Sequence, residues 1–68
     1  MAISYNKLWK LLIDKGMTKT QFREKANIST VTLAKLGKNE TVYMDILLRI
    51  CKELDSEFDE IVEITKND

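Results

Sequence analysis

The sequence has no histidine, no proline, one cysteine and two glycines, and each scarcity removes a class of protein. Without histidine, a serine or cysteine nucleophile lacks its usual base, and the common nitrogen ligand of zinc sites is missing. The single cysteine, Cys51, excludes an internal disulfide, and with no signal-peptide pattern at the N-terminus it fits a reducing, cytoplasmic setting. Apolar runs such as Leu11–Ile13 reach only three residues, far short of the roughly 20 that cross a bilayer, so no membrane partner is expected. Gly16 and Gly37 stand alone, and no glycine-rich loop exists to cradle a phosphate. The carboxylates Asp55, Glu57, Asp59 and Glu60 lack the glycine and the closing glutamate of a calcium loop, and read as a solvated face. These exclusions predict a protein with no cofactor, no metal and no small-molecule ligand, and not an enzyme.

What remains is a chain of 68 residues, 44% hydrophobic and 32% charged, which reads as one globular domain over 1–68. So short a chain buries only about 60% of its unfolded surface. With neither disulfide nor metal to compensate, a partner subunit is the open route to extra stability. The formal charge is zero, but it is unevenly spread. Residues 1–39 hold eight cations against Asp14 and Glu24, a net +6, and residues 40–68 are the mirror image at −6. Such asymmetry points to one half that faces a polyanion, against the plainer reading of lysines that only solubilise helix faces.

Hydrophobic spacing gives the elements. Tyr5, Leu8, Trp9 and Leu12 share one helical face, with Leu11 on its flank and Gly16 as a left-handed stop. Thr18 with Gln21 forms a capping box, Phe22 and Ala26 make the apolar stripe of a second helix, and Asn27 can end it with positive φ. Ser29 caps a third helix through Leu33 and Leu36, with Gly37 expected as its stop. A fourth runs from Met44, with Leu47, Ile50, Cys51 and Leu54 on one face and Asp45 in the first turn, so Cys51 reads as packing and not as a reactive thiol. Phe58 and Ile61 suggest a short fifth helix, while Ala2–Ser4 and Ile61–Thr65 have the character of short strands.

The stretch from Thr18 to Leu36, with its Thr cap, Phe22, Ala26, the Asn27–Ile28 turn, the Ser29 cap and Thr32–Leu33, resembles the Cro and lambda-repressor-like, or Xre, family of helix-turn-helix DNA-binding domains. Leu47–Leu54 is similar to that family's fourth helix and Phe58–Ile61 to its fifth, so the resemblance covers about residues 5–61. It implies an all-α, compact five-helix domain in which Phe22, Ile28, Leu33 and Leu36 wedge helices two and three apart. The chain departs from the family at Lys19, where Gln is common, and at Arg23, where alanine is common. Leu12 and Gly37 stand where many members carry an ion pair, and Val42 and Tyr43 replace a common proline and serine.

The resemblance further implies a recognition helix at about residues 30–36 lying in the major groove of duplex DNA. Thr30, Val31, Thr32 and Lys35 would meet base edges: Lys35 donating to guanine, Thr30 donating or accepting, Val31 touching a thymine methyl. Lys19, Lys38 and Asn39 would meet phosphates. The function implied is a transcriptional regulator, with repression by site occlusion as the default and a homodimer through the C-terminal segment to double the reading head. Within that segment, Val62 and Ile64 either face a second copy, or the strand pairs with Ala2–Ser4 in its own chain. A small helical protein-interaction module keeping the same fold is the alternative.

Overall fold

A computed structural model describes residues 2–66. The elements run β1 (Ala2–Ser4), α1 (Asn6–Asp14), α2 (Lys19–Ala26), α3 (Thr30–Gly37), α4 (Met44–Leu54), a single 3-10 turn at Phe58–Glu60, and β2 (Glu63–Thr65). The starts of α2 and α3 follow the capping chemistry at Thr18 and Ser29. The Thr18 hydroxyl accepts from Gln21 N–H at 3.1 Å, while the Gln21 side chain accepts from Thr18 N–H at 2.9 Å, so two orphan donors of α2 are satisfied reciprocally. At α1 the buried Ser4 hydroxyl accepts from Asn6 N–H at 3.3 Å.

The helix ends share one geometry. Gly16, Asn27, Asn39 and Asp55 all take positive φ, between 51° and 65°. After each, the next backbone N–H reaches back five residues: Met17 to Leu12 O, Ile28 to Arg23 O, Glu40 to Lys35 O and Ser56 to Cys51 O, at 2.9–3.1 Å. This is the Schellman closure, which satisfies carbonyls the helix leaves without partners. Gly37 is therefore not the stop that the sequence leads one to expect. It lies inside α3, and the left-handed residue is Asn39, two positions on. Asparagine reaches that region at modest cost because its short amide can bond locally.

The core draws Tyr5, Leu8 and Leu12 from α1 and the residue before it, Phe22 and Ala26 from α2, Ile28 from the turn, Leu36 from α3, Leu47, Ile50 and Leu54 from α4, and Ile61 and Val62 from the C-terminal segment. Trp9, Leu11, Leu33 and Cys51 pack against it, half-buried. The burial that raises the Cys51 thiol pKa, aided by the carboxylates Glu57 and Glu60 against a lowering backbone hydrogen bond, keeps it protonated and consistent with packing.

The described residues hold four α-helices, not five, together with a two-stranded sheet. The expected fifth helix is one 3-10 turn, in which Glu57 N–H donates to the Glu60 carboxylate at 2.7 Å. It goes no further because Glu63–Thr65, directly after the buried Ile61 and Val62, are held along an extended path by strand pairing. That path is β2, antiparallel to β1 with Ala2 opposite Thr65, Ile3 opposite Ile64 and Ser4 opposite Glu63. Of the two arrangements open to this segment, the structure has the pairing within one chain. Val62 lies in its own core, while Ile64, 55% exposed, faces out.

Alanine at Gly37 meets nothing within 4 Å and needs no unusual φ, whereas Gly16 sits at φ +65°. Gly37→Ala should raise stability by about 0.4–1 kcal/mol, and Gly16→Ala should lower it by about 1–2 kcal/mol. Paired urea melts check both signs.

Candidate nucleic-acid interface

Helices α2 and α3 meet across a turn of three residues, Asn27–Ser29, and their buried residues Phe22, Ala26, Ile28 and Leu36 set how they cross. The turn is held from outside as well. The Arg49 guanidinium, on α4, donates to the Asn27 carbonyl at 3.1 Å, a long-range bond from a residue whose partner is invisible in the sequence.

With Leu36 turned inward, the outer face of α3 is fixed. Thr30, Val31, Ala34, Lys35 and Lys38 are all exposed, Val31 by 66%. Thr32 differs from its neighbours. It is half-buried, its N–H donates to the Ser29 hydroxyl at 3.1 Å, and its own hydroxyl accepts from Ser29 at 3.0 Å. The structure thus brings Thr30, Val31 and Lys35 together on one surface and gives Thr32 to the cap. Ala34, between Val31 and Lys38 on that surface, escapes sequence reasoning because a small residue carries no polar signal; its exposure is the only cue.

Beside this face, a groove of about 330 Å³ lies between α3 and the start of α4, lined by Thr32, Lys35, Thr41, Val42, Tyr43 and Ile46. Tyr43, 81% exposed at the N-cap position of α4, also escapes the sequence reading. An aromatic residue just ahead of a helix, without a side-chain cap, is the signal that could have found it.

Three further residues were expected to meet phosphates. Lys38 is exposed at the end of α3. Lys19, the first residue of α2, holds its ammonium 4.5 Å from the centre of the Trp9 ring. Asn39 is engaged within the fold, where its Oδ1 accepts from Tyr5 N–H at 3.1 Å, and the Tyr5 hydroxyl donates to the next carbonyl, Glu40 O, at 2.7 Å. Tyr5 thereby ties the end of α3 to the start of α1. From Thr18 to Asn39 five cations face a single carboxylate, Glu24, whereas Asp55–Glu63 carries five carboxylates and no cation. No group of histidine, cysteine or carboxylate side chains among the described residues could hold a metal ion, and no helix among them is long and apolar enough to cross a membrane.

Comparison with known proteins agrees with this geometry. The family model described as a Cro/C1-type HTH DNA-binding domain matches residues 7–67. The crystal structure of transcriptional regulator VanUg, Form II, superposes with a TM-score of 0.89 at 53% sequence identity, covering 91% of this chain and 83% of that one. No curated protein matches the chain.

Burial raises the Tyr5 phenol above its ordinary value of 10.0. The folded state then holds that proton more tightly than the unfolded state, so this contribution is complete below pH 10 and is lost as pH rises from there through the raised value. Tyr5→Phe should cost about 0.5–1.5 kcal/mol near neutrality, for the bond to Glu40, and should flatten part of the alkaline loss of stability. Urea midpoints measured across that range, for both proteins, check it.

Proposed function

Because the chain belongs to the Cro/C1-type family of helix-turn-helix DNA-binding domains, we propose that it is a sequence-specific regulator of transcription that lays α3 in the major groove of duplex DNA. The observation that carries this reading is the single surface formed by Thr30, Val31 and Lys35, exposed at the start of a helix whose opposite side is buried. An α-helix fits the major groove, and side chains on its first turns reach base edges. Lys35 donates to guanine O6 or N7, Thr30 donates or accepts, and Val31 with Ala34 offers apolar contact to a thymine methyl. Thr32 acts on this reading mainly through the Ser29 cap, which holds the first turn of α3 in place. Lys19 and Lys38 meet phosphates, and Asn39 holds the backbone that presents Lys38.

The reading surface is the feature of this domain suited to a regulatory act, so occupation of the site is itself that act, and repression by occlusion follows. One helix reads few base pairs, and a specific site takes two copies about one helical turn apart. The exposure of Ile64, opposite Ile3 in the two-stranded sheet, favours a homodimer formed through the C-terminal segment, in a protein read as cytoplasmic.

Binding to duplex DNA should weaken steeply with salt, log affinity falling by about 0.9 per neutralised phosphate for each tenfold rise. Lys38→Ala should shallow that slope by about one unit on any sequence. Lys35→Ala should cost about 1–3 kcal/mol on a site selected from random duplexes and much less on scrambled DNA. Anisotropy titrations over a salt series measure all three; an affinity indifferent to salt would favour a protein partner instead. For the dimer, sedimentation of the free protein should show self-association that Ile64→Asp abolishes, with Tm losing its dependence on protein concentration.

A further inference from the structure

We propose that Trp9 is a positioning residue for DNA binding, which acts by holding the Lys19 ammonium on its ring face. This rests on the DNA-binding reading above and adds a residue to it from outside the helix-turn-helix. Trp9 is on α1, half-buried, and its own orientation is set: its ring meets the fully buried Phe22 edge to face, with centroids 6.3 Å apart and planes at 89°. Phe22 is on α2, three residues after Lys19, so the ring that anchors Trp9 and the cation that rests on Trp9 belong to the same helix. The Lys19 ammonium lies 4.5 Å from the centroid, within the range of cation–π attraction.

The consequence for binding is one of entropy and of donor geometry. A free lysine at the start of α2 samples many rotamers and loses them on meeting a phosphate. On the Trp9 face that freedom is already reduced before DNA arrives. An ammonium has three N–H donors, and the ring face occupies only one side of it, so donors remain for a phosphate oxygen. The protonated amine cannot move away from the tryptophan without losing the contact, and the neutral indole leaves its charge available to the incoming strand. Lys19 thus meets DNA with its rotamers already biased toward one position, where an ordinary surface lysine samples many.

The test is a double-mutant cycle on the full chain with a fluorescein-labelled duplex of random sequence at low salt, since phosphate contacts do not depend on sequence. Trp9→Leu should weaken binding about two- to fivefold when Lys19 is present, part of the ordering cost of one long side chain, and leave it unchanged in the Lys19→Gln background. Trp9→Phe, which keeps a weaker ring face, should fall between. Equal losses in both backgrounds would assign Trp9 to packing alone, and tighter binding by Trp9→Leu would mean that the ring withholds Lys19 from DNA; either overturns the proposal. Trp9 is the one tryptophan of the chain, so its emission reports the same contact without substituting it. Lys19→Gln should shift the emission of the free protein and reduce its change on adding DNA; identical spectra would overturn the proposal even if Trp9→Leu fails to fold. Absence of any binding by the unaltered protein at low salt would instead defeat the DNA-binding reading, which separates the two failures.

Discussion

An eight-residue helix does not hold its shape in water, where about 12–15 residues are needed for even marginal helicity. Both α2 and α3 are eight residues long, so their existence depends on the apolar residues they bury against the rest of the core. That dependence is also what gives the outer surface its definition. Leu36 and Phe22 are fully buried, and once they are in place α3 has no freedom to rotate about its axis; Thr30, Val31 and Lys35 point outward as a result. The same argument explains why the external ties cluster around this pair. Arg49 reaches the Asn27 carbonyl, and Tyr5 reaches Asn39 and Glu40, so the turn before α3 and the loop after it are each fastened to a different part of the fold.

Much of this was legible in the sequence because it rests on local chemistry. The capping box at Thr18, the Ser29 cap, the left-handed Asn27 and the Gly16 stop are all read from neighbours within a few residues, and all are present. The spacing of Tyr5, Leu8 and Leu12 and of Leu47, Ile50 and Leu54 identifies core faces because burial of one side of a helix leaves a periodic trace. What escapes is either ambiguous or non-local. Gly37 is a better left-handed residue than Asn39 in isolation, and what favours Asn39 is its amide oxygen bonding Tyr5, 34 residues away in sequence. Phe58 and Ile61 have helical spacing and so suggest a helix at the C-terminal turn, but the pairing of Glu63–Thr65 with β1, from the other end of the chain, draws the backbone into a strand. Within the candidate interface, the outward face of α3 was legible, while the engagement of Thr32 in the cap, the exposure of Tyr43 and the seat of Lys19 on Trp9 all depend on where other elements lie.

Charge and packing are organised along the same division. The cations of residues 18–39 are carried by the two short helices and the residue that ends the second, and the carboxylates of residues 55–63 by the segment that closes the core through Ile61 and Val62. Cations gathered on α2 and α3 and carboxylates on the closing segment give the domain a direction in the field of a polyanion, which would favour approach with α2 and α3 leading. The cancellation of total charge is therefore compatible with strong attraction at short range, because screening at physiological salt limits each region's influence to about 8 Å.

The pairing of β1 with β2 brings Ala2 opposite Thr65, so the two ends of the described chain leave the domain side by side. Architecturally the fold is a closed loop with a single doorway. Any polypeptide joined to either end would emerge at one edge of a small sheet, and joined at both it would see the domain as a bead hung from its backbone, adding little to its span. Such a unit is suited to insertion within the surface loop of a host protein, where it can keep its own core intact because the host need only accommodate two strands at the spacing of an antiparallel pair.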